Sequence, residues 1–283
     1  MSVDALNDPL FQRAVRAGLL VAVASGLTGT FVVVRGMGML AGAIAHAALG
    51  GIGVAYALGL PPMLGAFAAA VLTAVLVWLT RRYARQRQDV ILSALWSTGM
   101  AIGMIALAMT PGYGLDLNDY LFGSLLTVSP ADLWMMLWVD VVLMALFALG
   151  FQSFAAISFD EEFARLRGLP TDYLELLLLL LLALTAVVLS RVVGLVMVIA
   201  LLTLPAAVAE HWMARLLPMV GLAIILTLAA TTGGLLLSWQ FDWPSGASVV
   251  LIAGAIYAVG LTAHYFHRMM ANRTGFRNGR RQE

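Results

Sequence analysis

The chain has 283 residues, 62% of them hydrophobic and 11% charged, with a mean hydropathy of +0.95. Soluble globular chains carry about a quarter charged residues, so this composition specifies an integral membrane protein. Cysteine is absent, which excludes disulfides and thiolate metal sites. All sixteen basic residues are arginine, and the lack of lysine excludes a Walker-type phosphate loop, pyridoxal chemistry and any Schiff base. ATP, if it is used, must be hydrolysed by another chain.

The N-terminal stretch MSVDALNDPLFQRAV holds Asp4 and Asp8 and lacks a basic-then-apolar start, so no cleaved signal peptide is expected. About 20 apolar residues are needed to cross the hydrocarbon core. That ruler places spans near 14–34, 37–59, 62–80, 90–110, 131–150, 173–190, 192–210, 216–238 and 246–266, eight or nine helices where spans abut. The runs are continuous and rich in Leu, Ala and Gly rather than alternating, so an all-α polytopic fold is predicted and a β-barrel is disfavoured. The prediction is one transmembrane domain over 1–283, with 268–283 as a basic tail.

Arginine placement sets sidedness. The run RRYARQR (81–87) and the tail with Arg268, Arg273, Arg277, Arg280 and Arg281 belong on the cytoplasmic side. Counting from these anchors puts 111–130 outside, 152–171 inside and the N-terminus outside, where Arg13 and Arg16 fit poorly. Either the first segment is partly interfacial or one early span is not a full crossing.

The second span carries the stretch MLAGAIAHAALGG. At helical spacing Gly38, Gly42, His46, Gly50 and Gly53 form one stripe, and small residues at this spacing let membrane helices approach closely. An ionisable side chain inside a span faces a cavity, a partner or a substrate path. For His46 two readings stand: a histidine bonded to a neighbouring helix, or a group on a polar or metal-conducting path. One histidine is not a metal site, since zinc takes about four ligands and manganese or iron adds carboxylates.

Downstream, TPGYGLDLNDYLFGSLLTVSP (110–130) reads as an outer loop with a short half-buried helix at YLFGSLL, stopped by Ser129-Pro130. Its Asp116, Asn118 and Asp119 form an acidic lip, either a solvated loop or a cation-attracting mouth. Asp89, after the arginine run, is expected to pair with an arginine, and Asp140 lies at or within a span. In FDEEFARLRG (159–168), acids come early, arginines late and a glycine last, the charge order a helix dipole favours. The segment is predicted to be a short amphipathic helix on the cytoplasmic face. Its charge is nearly balanced, so it suits protein docking better than lipid binding. Pro205 should free backbone carbonyls that Thr203 could re-satisfy. It shapes a helix, and broken helices also line transport paths. His211, His264 and His267 sit near inner boundaries as snorkelling residues. No HExxH or GxSxG occurs, Ser124 in FGSLL being the nearest serine in a glycine context.

Five blocks then resemble one family in order: GTFVVVRGMGMLAGAIAHAALGGIGVAYALG, QDVILSALWSTGMAIGM, DYLFGSLLTVSPADL, SFDEEFARLRGL and VVGLVMVIALLTLPAAVA. Together they resemble the zinc/manganese/iron-type metal ABC importer permeases over nearly the whole chain. The resemblance implies a dimeric type II importer subunit in the prokaryotic cytoplasmic membrane, with ATP-binding cassette ATPases below and an extracytoplasmic metal-binding protein above. No nucleic acid is expected as a partner, and no covalent cofactor; the metal ion is cargo. By the same resemblance His46, with Asp116 and Asp119, would serve the metal path. Phe159, Asp160, Glu161, Phe163 and Gly168 would form the coupling surface toward the ATPase, with Gly38, Gly42, Gly50 and Pro205 structural. Members often carry an aspartate one turn before the histidine, as D-x-x-x-H; here that position is Gly42. An ion-gradient-driven transporter fits the composition equally well, and an intramembrane hydrolase is a more distant alternative.

Overall fold

The computed structural model describes residues 8–83, 88–110 and 123–279. Among these, nine helices are long and apolar enough to cross a membrane, which settles the sequence estimate of eight or nine at the upper value. In chain order they are α1 (Pro9–Val34), α2 (Gly38–Ala57), α3 (Pro62–Tyr83), α4 (Gln88–Ala108), α5 (Pro130–Phe159), α7 (Thr171–Val193), α8 (Leu195–Trp212), α9 (Leu216–Phe241) and α10 (Ser245–Gly279). A six-residue helix, α6 (Glu161–Leu166), lies between α5 and α7. Residues 268–279 of the basic tail continue α10.

Local chemistry explains the boundaries. The Asp8 side chain accepts from Leu10 N at 2.7 Å, and Pro9 opens α1, where its missing N–H costs nothing. Ser129 and Asp132 close a reciprocal capping box at the start of α5, again with proline at the first position. The first three residues of the predicted half-helix at YLFGSLL, 120–122, lie outside the described residues. Its end is a 3-10 turn, Leu125–Thr127, after Gly123 at φ +57°. Gly194, at φ +78°, is the single residue separating α7 from α8, and glycine takes that backbone without strain.

Two charged ends fix the orientation. Arg35, Arg81, Arg82, Arg165 and their acidic partners gather at one end of the bundle, while Arg191 meets Asp132 at 3.1 Å at the other. The arginine-rich end is the inner one by the positive-inside rule. Phe11 packs on Trp239 near the outer end of α9, so α1 is a full crossing that starts outside, with Arg13 and Arg16 exposed there. Asp89 has no arginine partner among the described residues; it sits in the first turn of α4, where the helix dipole favours an acid.

Helices α1, α2 and α7 are the most buried, whereas α3, α4, α5 and α10 present apolar surface such as Trp134, Trp138, Leu149 and Val259. Helices α1 and α5 share an aromatic cluster in which Phe31 stacks on Phe147 at 4.6 Å. Thr28 and Thr185 join α1 to α7 through a 3.0 Å hydroxyl bond. Pro205 is buried within a continuous α8, and Thr203 does not repair it. The threonine hydroxyl donates to Ile199 O at 2.7 Å, whereas the missing proline N–H would have met Leu201 O.

The α2 stripe divides by neighbour. A Cβ on Gly50 would run into the Gly99 carbonyl of α4, one on Gly53 would stand 2.6 Å from Gly103 O, and one on Gly51 would strike Gly65 of α3. Gly99 and Gly103 are themselves a G-x-x-x-G pair, the small-residue seam that membrane helices use in place of a hydrophobic drive. A Cβ on Gly38, by contrast, would sit 3.4 Å from Thr203 Cγ2, an ordinary contact. Gly50→Leu is therefore expected to lower the melting temperature of the purified protein by a cost of about 1–3 kcal/mol for overpacking. Gly38→Ala should melt with the parent.

Candidate mid-membrane and inner-face sites

His46 lies eight residues into α2, about 12 Å from its inner end at 1.5 Å per residue, close to mid-membrane. It is 7% exposed, and its Nδ1 has no hydrogen-bond partner. Its one strong neighbour is an aromatic ring: Trp96 of α4 stacks on it with centroids 4.2 Å apart and planes 21° apart. Hydrogen bonding to a neighbouring helix, the bland reading of the sequence, is thus not what occupies Nδ1.

The same tryptophan accounts for Gly42. A Cβ there would meet Trp96 Cζ3 at 3.0 Å and Ile199 Cδ1 at 3.4 Å. The indole stands where the outer part of an aspartate would reach, so the glycine and the tryptophan answer each other. Trp96 was legible in the sequence only as one apolar residue in a span, because nothing in its local spacing announces a partner on α2. Among the described residues, no group of three or more His, Asp or Glu side chains is arranged to hold a metal ion. Asp116 and Asp119 lie outside the described residues.

At the inner face, Asp160 caps α6 by accepting from Phe163 N at 2.8 Å, and Glu161 and Glu162 occupy the first turn with Arg165 in the last. Gly168 turns the chain at φ +78°; a Cβ there would meet nothing, so glycine serves backbone conformation rather than space. Ala164 is fully buried and pins α6 to the bundle. Around it Phe159, Phe163 and Leu166 are 66%, 50% and 83% exposed, with the Arg167 guanidinium 4.6 Å from the Phe163 ring centre. Large apolar side chains are thus held out beside charges on this face.

Behind α6 is a charge network that sequence spacing did not reveal. Arg35 Nη2 reaches Glu161 Oε2 at 3.3 Å and Glu175 Oε1 at 3.5 Å, and Arg81 bonds the same Glu175 oxygen. Arg165 contacts Glu161 at 3.3 Å and Asp172 at 3.7 Å, while Arg82 bonds Asp172. Trp78 Nε1 adds a bond to Asp172 O at 3.1 Å. Burial pulls the Arg35 guanidinium below its ordinary range. Glu175 and Glu161 push it back up, and neighbouring Arg81 pulls it further down. Arginine stays charged regardless. Arg35 is also the residue that ends α1, and Gly36 and Met37 are all that separate it from α2, the helix that carries His46. The network therefore ties the exposed helix α6 to the helix that carries the histidine.

Nine apolar crossings, with a histidine buried in one of them, define a polytopic membrane protein. Comparison with known proteins agrees. The sequence profile of the ABC 3 transport family matches residues 7–264, and the chain belongs to that family. It is 41% identical over 260 residues to an uncharacterized membrane protein of Synechocystis sp., covering 92% of each chain. It is 32% identical over 276 residues to the manganese transport system membrane protein MntC of Halalkalibacterium halodurans, covering 98% of this chain and 94% of that one. The solved structure of PsaBC from Streptococcus pneumoniae in complex with Fab superposes with a TM-score of 0.83 at 27% identity, over 92% of this chain and 95% of that one. This is a multi-pass membrane permease of the ABC type.

Proposed function

We propose that the chain is the membrane-spanning subunit of an ATP-driven importer for a divalent transition-metal ion, with manganese, zinc and iron as the cargo class. Two copies would enclose the path, ATP-binding cassette ATPases would dock below, and an extracytoplasmic metal-binding protein would deliver the ion from above. The observation that carries this reading is His46: an imidazole buried at mid-membrane, stacked on Trp96, with a ring nitrogen that nothing among the described residues uses. The manganese transport proteins among its relatives support the metal class.

His46 would be one ligand in a succession of partial coordination shells, handing the ion inward. With Gly42 in place of a carboxylate, the remaining donors must come from water, from the outer loop or from a second copy. Asp116 and Asp119 would concentrate cations at the outer mouth. Phe159, Asp160, Glu161, Phe163 and Gly168 would form the coupling surface. Motion of the ATPases would reach α2 through Glu161 and Arg35.

The test is uptake of radiolabelled manganese or zinc by proteoliposomes holding the permease, its ATPase and the binding protein. Phe163→Asp is expected to abolish ATP-dependent uptake and ATPase co-purification while leaving the melting temperature unchanged, because Phe163 is half exposed. An ion-gradient-driven transporter would keep full uptake in this variant, and that result would defeat the proposal.

A further inference from the structure

The inner ends of α8 and α10 bring together histidines that the transport path does not use. His211 and His264 have ring centroids 5.5 Å apart with planes 81° apart. Two imidazoles bound to one tetrahedral ion, each bond about 2.0–2.1 Å, place their ring centres about 5 Å apart. The separation is that of a clamp with room for one ion. His211 is also oriented for it: its Nδ1 lies 2.7 Å from Ala207 O. A backbone carbonyl holding one ring nitrogen is the usual outer-shell support of a metal-binding histidine, and it leaves Nε2 with its lone pair outward. His267 follows His264 by one turn on α10, and Trp212 packs near both rings, at 5.6 Å and 6.1 Å.

We propose that His211 and His264 form a two-histidine binding site for a borderline or soft divalent metal ion, open to the inner side and bridging α8 to α10. The ligand chemistry selects the ion. Imidazoles without a carboxylate suit zinc, nickel and copper, whereas manganese prefers oxygen donors. Waters fill the remaining positions, consistent with the lack of a three-ligand group among the described residues. The neighbouring charges are Glu210, next to His211, and Arg268, which acts on His264 and opposes a cation. Affinity is therefore moderate. An ion here fastens α10 to the helix that carries Pro205 and packs Ile199 beside Gly42, so cytosolic metal would brace the inner end of the bundle. This site is independent of the His46 path.

The experiment uses the full chain without an affinity tag of histidines, in lipid nanodiscs, in a His46→Ala background so that only the inner site reports. Zinc titration is expected to show one equivalent per chain, with no manganese bound at the same concentrations. Copper electron paramagnetic resonance is expected to show two imidazole nitrogens. His211→Gln and His264→Gln should each leave a one-nitrogen copper spectrum and weaken zinc about 10-fold or more, on the scale of lost metal-site groups; His211 is exposed in the last turn of α8 and His264 is partly exposed on α10, so folding should persist. Unchanged zinc binding in either variant, or a single nitrogen in the parent, overturns the site and leaves an interfacial aromatic cluster instead.

Discussion

Glu175→Ala is expected to be the most destabilising single substitution at the inner face, at about 3–5 kcal/mol, the cost of removing one member of a buried ion pair. The carboxylate is the hub between Arg35 and Arg81, with side-chain exposures of 13%, 8% and 24% respectively. Without it two guanidiniums face one another in a site that excludes most water, and Arg35 keeps the more exposed Glu161. Arg35→Ala should cost less, because Glu175 keeps Arg81. Glu161→Ala should cost least, within the 0.2–1 kcal/mol or so of exposed pairs, since Glu161 is 41% exposed. Melting in detergent ranks the three. Transport should rank them differently: Glu161→Ala, nearly silent in stability, removes the contact from α6 to Arg35 and is expected to uncouple ATP hydrolysis from uptake. Equal uptake per ATP in that variant and the parent would rule out Arg35 as the relay.

His46→Ala is expected to reduce metal uptake about 10-fold or more, the scale on which metal sites lose function when a supporting group is removed. Stability should move little. Losing the stack on Trp96 costs about 0.5–1.5 kcal/mol. That loss is offset because a buried nitrogen without a partner disappears with the ring. The packing alternative makes the opposite forecast, normal uptake with a lowered melting temperature. Proteoliposome uptake and a thermal melt on one preparation separate the two.

Much of the architecture was legible before any coordinates. Nine apolar runs, arginine-rich inner ends and the charge order of FDEEFARLRG are local properties, readable because helix length, sidedness and dipole complementarity each act within one segment. The position of α6 and the turn at Gly168 follow from the same chemistry. Expectations that required knowing a neighbour fared differently. Asp89 meets no arginine among the described residues, which leave out Arg85 and Arg87. Thr203 bonds Ile199 O and not the carbonyl that Pro205 leaves free. The stripe on α2 proved to be two surfaces, Gly50 and Gly53 tight against α4 toward its outer half and an ordinary contact at Gly38.

What the sequence by itself determined is the membrane class, the approximate positions of the crossings, and His46 as the ionisable group in the second span; that there are nine crossings among the described residues, the first of them complete, took the structure. What only the tertiary structure decided is what that group touches. Trp96 is fifty residues from His46, and Glu175 is 140 residues from Arg35. No periodicity within one helix encodes such pairings. They arise because small-residue seams let α2 approach α4 closely enough for an indole to fill the space over Gly42, and because the low dielectric at the inner ends forces each buried arginine to find a carboxylate.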